Sequence, residues 1–325
     1  MTSVPRMQSV KAPDIGLVSR SPRELAWRRF RANKIAIPSA IASFSIAFIA
    51  IFAPIIAWVI NVSPTERDAN AISARGETIG VLGGISWNHP LGVEPGIGYD
   101  LLARLMYGSR ISFMVAVITT FATVAIGLMI GIASGYYRGR VDSIVGRFTD
   151  FLLSFPSFFM IIALSVPMIQ RIEKSGIARD NGARILYLIL ILSFFGWPYF
   201  SRIIRSQVLS LRERDYIVAA RALGASNRRI IFKELLPNLW TPVIVYVSLA
   251  LPGYLAAEAV FSYLGVGVQP PSATWGLIIA DSTKYILNEP TYFFVPALSL
   301  ILVVLSFNLL GDAIRDALDP KSEQN

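Results

Sequence analysis

The chain has 325 residues, 54% of them hydrophobic and only 16% charged, whereas soluble domains carry roughly 25% charged residues. That shortage speaks against an ordinary soluble enzyme. The lack of Cys and the single His exclude disulfide frameworks, thiolate nucleophiles, iron–sulfur ligation and histidine metal clusters. The 30 basic residues against 21 acidic ones, a net +9, suit either a nucleic-acid partner or an anionic membrane face, so their placement decides.

A bilayer core about 30 Å thick takes about 20 apolar residues in a helix, because a backbone group left unpaired in lipid costs several kcal/mol. Segment 21–34 (SPRELAWRRFRANK) carries Ser21 as a cap and Pro22 at the first helical position. This predicts a short basic amphipathic helix on the inner membrane surface. The uncharged run 35–61 follows, with Pro38 near its start and Pro54 near its end. It is longer than the roughly 7–15 residues of a signal-peptide core, and no clear small-residue cleavage pattern ends it, so it reads as a retained span. Residues 62–110 form an outer segment, in which His89 reads as a turn residue of HPLG rather than a ligand.

Further spans are predicted at 111–137, 148–170, 185–201, 238–262 and 290–311, the last followed by the charged tail 312–325. Arg138, Arg140 and Arg147 stand beside Asp142 and Asp150 in the short connection 138–147, where mutual pairing would set the angle between the second and third spans. The fifth span holds Glu258, and an ionisable group inside a span faces a bundle interior or a water-filled path; a place near the outer interface is the alternative. After it, Gly265, Gly267, Pro270 and Pro271 predict an ordered outer loop, with Trp275 in the aromatic belt as one reading; Trp58, Trp197 and Trp240 also fall near span ends. Six spans put both termini on one side. With the termini inside, 21 of the 30 Lys and Arg fall on inner segments, which predicts an all-α integral membrane protein with cytoplasmic termini. The charge then needs no nucleic acid, since cytoplasmic-leaflet lipids are anionic.

The inner segment 202–237 is long enough for two short helices. Asp215 is expected to cap a helix running to Ala222, and Gly224 to end it with positive φ. Ser226 or Asn227 would cap a second helix presenting Ile230, Ile231 and Leu235 on one face, with Pro237 at the start of the next span. The result is a helix–turn–helix knob with small residues Ala219, Ala220, Ala222 and Ala225 at its tip, suited to close docking in a partner's groove; an ordinary basic loop is the plainer reading.

The spacing from Ala219–Ala220 to Gly224 and on to Leu236–Pro237 resembles the loop shared by permease subunits of bacterial ABC importers, and DYIVAARALGAS resembles its peptide-importer branch. HPLGVEPGIGYDLLARLMYGSRIS, GYYRGRVDSIVGRFTDFLLSFP, EAVFSYLGVGVQPPSATWG and FNLLGDAIRDALDP resemble the second permease of dipeptide, oligopeptide and nickel importers, together covering nearly the whole chain. Val218 stands where the general loop has Glu, and Glu234 where it has Ile.

The resemblance implies a type I importer permease fold in the bacterial plasma membrane. It also implies a pseudo-symmetric pairing with a homologous permease, two ATP-binding cassette ATPases and an extracytoplasmic binding protein. The loop would be the coupling helix, seated in an ATPase cleft, with 215–231 as the contact: Asp215, Ala219, Ala220, Arg221, Ala222, Leu223, Gly224, Ala225, Arg228 and Arg229. Lipid headgroups are the other reading for the three arginines. No G-x-x-x-x-G-K-[ST] loop occurs in the chain, so ATP and magnesium are expected in partner subunits and no cofactor or catalytic set in this one. The cargo implied is peptide, with nickel chelates or heme as alternatives. A secondary transporter working alone would call for inverted repeats and paired broken helices, which are not evident here. A membrane enzyme would have few catalytic groups to draw on.

Overall fold

The computed structural model describes residues 22–319, so the expected Ser21 cap and residues 320–325 of the tail lie outside the described part. An amphipathic helix, α1 (Pro22–Ala32), leads into α2 (Ala36–Val59), the first long apolar helix. Next comes a turn-rich segment, then α3 (Leu101–Tyr137), α4 (Gly139–Ser154), α5 (Ser157–Ser175) and α6 (Asp180–Leu211). The short α7 (Asp215–Ala222) and α8 (Asn227–Arg229) precede α9 (Trp240–Tyr263), α10 (Trp275–Ser282) and α11 (Pro290–Leu318). Among the described residues, five helices are long and apolar enough to cross a membrane, and six spans result if α4 and α5 count as one bent pair.

The spans fall near the expected places, but their ends and one interior differ. α3 starts at Leu101 rather than 111, because Asp100 caps it by accepting a 2.7 Å hydrogen bond from the Ala103 N–H. Its Arg104 is tolerated in a buried position because Glu94 lies 2.9 Å away, a contact of charges rather than a well-aligned hydrogen bond. The expected third span over 148–170 is not one helix. Phe155, extended ahead of Pro156, breaks it, and α4 and α5 meet at 84°. α6 runs past 201 through Arg202 and Arg205, whose charges are met by Asp150 and Asp142 of α4.

Those pairs correct the expected pairing within the 138–147 connection. Asp142 accepts from Arg205 at 2.5 and 2.6 Å and from the Ser134 hydroxyl at 2.6 Å, while Arg138 reaches Glu213 at 3.0 Å. The acids of α4 are thus tied to α6 and α3, and they hold α4 across the end of the bundle. The belt reading fails for Trp197 and Trp275, both buried, the latter donating to the Leu105 carbonyl at 3.1 Å; Trp58 and Trp240 are exposed, as belt positions require.

In lipid the apolar surface of a helix gains little by leaving its solvent, so close backbone contact decides which helices pair. α3 and α6 run parallel and meet along Gly127, Gly131 and Gly135. A Cβ on Gly131 would lie 2.6 Å from the Ser201 carbonyl, and one on Gly135 would lie 2.9 Å from the Arg205 carbonyl. α9 and α11 pack beside them, with Gly311 against the Ser248 carbonyl. At the end where α2 finishes and α3 begins, Leu101, Leu105, Phe113, Leu255, Trp275 and Tyr292 form one buried cluster. At the opposite end, Phe200, Ile204, Val208, Ile217, Ile230 and Leu235 form another.

Candidate functional site

The second cluster carries the knob. Arg214, extended at φ −73° and ψ 143°, is the residue preceding the helix, so Asp215 is the first helical residue and not the cap. Its carboxylate still sits in the first turn and Arg221 in the last, both favourable to the helix dipole. The helix closes with two crossed hydrogen bonds, Ala225 N–H to the Ala220 carbonyl and Gly224 N–H to the Arg221 carbonyl, each 3.0 Å. This reverse turn needs a left-handed residue at 224, and Gly224 supplies it at φ 79°.

Ser226 then caps α8 by accepting from the Arg229 N–H at 3.4 Å. The expected second short helix does not stand alone. It passes through a π-helical turn (Ile230–Leu235) and a 3-10 turn (Leu236–Leu239) straight into α9, since Pro237 has no N–H to continue the regular ladder. The knob is therefore one short helix and a turn mounted on the end of a span.

Three bolts fix it. Ile217 is fully buried with Ile204 and Val208 of α6. Asn227 Oδ1 accepts from the Tyr136 hydroxyl at 2.8 Å, and Arg212 donates to the Tyr136 carbonyl at 2.7 Å. Meanwhile the outward side is bare: Leu223 is 89% exposed and Val218 50% exposed, with Ala219, Ala222, Arg228 and Arg229 also exposed. Leu223 is thus a large apolar side chain held out on a fixed turn, on a segment that also exposes Arg221, Arg228 and Arg229. Ile217 and Asn227 seat the knob against both α6 and α3.

Glu258 is fully buried. It accepts from the Ser112 hydroxyl at 2.5 Å and the Ser262 hydroxyl at 2.6 Å, bridging α3 and α9. At the far end, the segment between α2 and α3 folds over the bundle. Glu289 accepts there from the Thr78 N–H at 3.1 Å. His89 does sit in the 86–89 turn, but it has partners the sequence did not suggest. Its Nδ1 is 2.9 Å from Asp100, the α3 cap, and its Nε2 is 3.1 Å from Asp68. Each nitrogen faces a different carboxylate, which is a bridge and not a chelate. Among the described residues no three His, Cys, Asp or Glu side chains are arranged so that they could hold a metal ion.

Burial opposes charge on His89, but the hydrogen bonds and charges of Asp100 and Asp68 outweigh it and raise its pKa above the ordinary 6.5; the same bridge, helped by the Asn70 N–H, lowers that of Asp68. A raised His contributes stability below its unfolded pKa and loses it as pH rises through its folded one. A lowered Asp contributes stability above its unfolded pKa and loses it on acidification. Amide protection over 62–100, taken relative to the intrinsic exchange rate at each pH, is therefore expected to be greatest in mildly acidic solution and to fall on either side. His89→Gln should remove the alkaline limb and also shrink the acid one, because Asp68 loses the charged partner that lowers its pKa.

The apolar helices and the parallel α3–α6 pair together define a multi-pass α-helical membrane protein. The family model described as "binding-protein-dependent transport system inner membrane component" matches residues 127–324, and that of the N-terminal TM domain of oligopeptide transport permease C matches 21–74. The chain belongs to this family of transport-system inner-membrane permeases. It is 33% identical to the dipeptide transport system permease protein DppC of Alkalihalophilus pseudofirmus, over 95% of this chain and 93% of that one. It is 34% identical to the oligopeptide transport system permease protein OppC of Haemophilus influenzae, over 95% and 91%. Among solved structures, the inward-facing MetNI methionine ABC transporter aligns with 67% of this chain and 98% of its own, with a TM-score of 0.53 and 19% identity, a likeness of fold.

Proposed function

We propose that the chain forms half of a peptide translocation pathway, paired with a homologous permease. Two ATPases dock on knobs at the cytoplasmic end, and a binding protein delivers cargo at the other. The observation that carries this reading is the exposed Leu223 on its bolted turn, at the end where the inner-segment arginines cluster. ATP and magnesium belong to the docked subunits. When these close, two knobs approach and the spans rock between inward- and outward-facing arrangements, the rigid-body alternation that such bundles support. Arg221, Arg228 and Arg229 meet acidic rims of the ATPase cleft. Peptide as the cargo rests on the names of the similar proteins.

Co-expression tests this directly. The chain is expected to co-purify with a second permease and two ATPases, and labelled di- or oligopeptide uptake should stop when ATP hydrolysis is blocked. Proton-driven uptake by this chain alone in liposomes would refute it, and uptake of nickel chelates or heme in place of peptides would refute the cargo.

For Glu258 the sequence leaves two places open, the translocation path and the outer interface. Its complete burial supports a different role, as a joint that fixes the outer ends of α3 and α9. Glu258→Ala, which strands two buried hydroxyls, should cost about 2–3 kcal/mol of stability. Glu258→Gln should keep uptake within about twofold, since the amide still offers an oxygen to one hydroxyl. Abolished uptake in a fully stable E258Q chain would return this residue to the path.

A further inference from the structure

A groove of about 1010 Å³ lies between α2 and α3 and is lined also by residues 271–273. Its walls are Ala47, Ala50 and Ile51 of α2 against Phe113, Met114 and Val117 of α3. Among the described residues Arg110 is the only charged one lining it, and Ser63, Thr65 and Tyr107 add hydroxyl-bearing side chains to the lining.

Arg110 is exposed and has no hydrogen bond or ion pair among the described residues. It marks the last charge before the uncharged run 111–137 and shares the lining with the residues that follow the end of α2, which sets it at headgroup depth. From Tyr107 to Val117 the groove follows α3 for about 15 Å at the helical rise of 1.5 Å per residue, a large part of an acyl chain's length.

An apolar slot between two spans is not filled by water at low cost, because its apolar walls offer no replacement for the lost water hydrogen bonds. A lone guanidinium in its lining, with hydroxyl-bearing side chains in the same lining, matches a phosphate that carries no compensating cation. We propose that this groove holds an anionic phospholipid, its phosphate on Arg110 and one acyl chain against Ala50, Ile51, Phe113 and Met114. The proposal depends on the chain's membrane setting and is independent of its cargo. The bound lipid would seal α2 to the permease core near the outer interface.

The test is native mass spectrometry of the detergent-purified full chain with phosphatidylglycerol or phosphatidylcholine, comparing wild type with Arg110→Gln, Arg110→Lys and Ala47→Phe. One interfacial cation corresponds to about a fivefold preference for an anionic headgroup. Wild type should show that preference, R110Q should lose it, R110K should retain it in part, and A47F, which fills the slot, should retain less of either lipid. Arg75→Gln, an exposed change away from the groove, should behave as wild type. Undiminished phosphatidylglycerol preference in R110Q would overturn the proposal, as would unchanged retention in A47F. Full displacement by millimolar inorganic phosphate would also overturn it, by reducing the site to a general anion contact.

Discussion

Gly131→Val is expected to cost about 3 kcal/mol or more and to leave little folded permease in the membrane. The new Cβ would meet the Ser201 carbonyl at 2.6 Å and the Ile204 Cβ at 2.8 Å, both on a helix whose backbone cannot retreat alone. Overpacking of a close-packed contact typically costs about 1–3 kcal/mol. Here the added atoms meet backbone, so side-chain repacking cannot absorb them. Gly127 and Gly135 fix the parallel register of α3 and α6 in the same way, so the damage should spread along the pair. The control is Gly146→Ala in α4, where no atom lies within 4 Å of the added Cβ; it should be neutral or stabilising by up to about 1 kcal/mol. Thermal unfolding in detergent, followed by size-exclusion chromatography, measures both. An unaltered G131V chain would mean that α3 and α6 do not pack through this face.

Leu223→Asp should have the opposite profile, with normal folding and failed coupling. Leu223 is 89% exposed and only its backbone serves the turn, so the change should shift stability by no more than about 0.5 kcal/mol. Central apolar anchors of interfaces are worth about 2 kcal/mol or more, which is about a 30-fold loss of ATPase affinity. A carboxylate beside an acidic cleft rim would add repulsion. Substrate-stimulated ATP hydrolysis and uptake should fall together while the purified chain keeps its melting temperature. Retained coupling would move the docking contact elsewhere.

The sequence reading located the spans because freedom from charge is a one-dimensional property, and lipid demands it. It misplaced their ends because a charge with a partner is permitted where a bare one is not. Arg104 has Glu94, and Arg202 and Arg205 have Asp150 and Asp142, each on another element. Chain neighbours suggested pairing within 138–147, while three dimensions supplied α6. Pro156 was visible inside the third run, but its consequence, an 84° bend, was not drawn from it. The knob was legible because Gly224 and Ser226 are local signals for a helix stop and start. The π-helical passage into α9 was not, since it depends on how Pro237 is accommodated. The three glycines at four-residue spacing in α3 were a readable signal for close helix pairing and were overlooked. His89 seemed alone because Asp68 and Asp100 lie 21 and 11 residues away along the chain.

The natural lack of cysteine allows a background-free measurement of the central claim, that the Leu223 turn is where ATP-driven closure enters this chain. A single Leu223→Cys chain, co-expressed with its ATPases in membrane vesicles, should cross-link to an ATPase subunit through a short thiol-to-amine reagent. Addition of ATP should change the yield. Val81→Cys, on the segment between α2 and α3, should give no such product. Cross-linking of the ATPase to position 81 and not to 223 would contradict both the docking surface and the orientation of the chain.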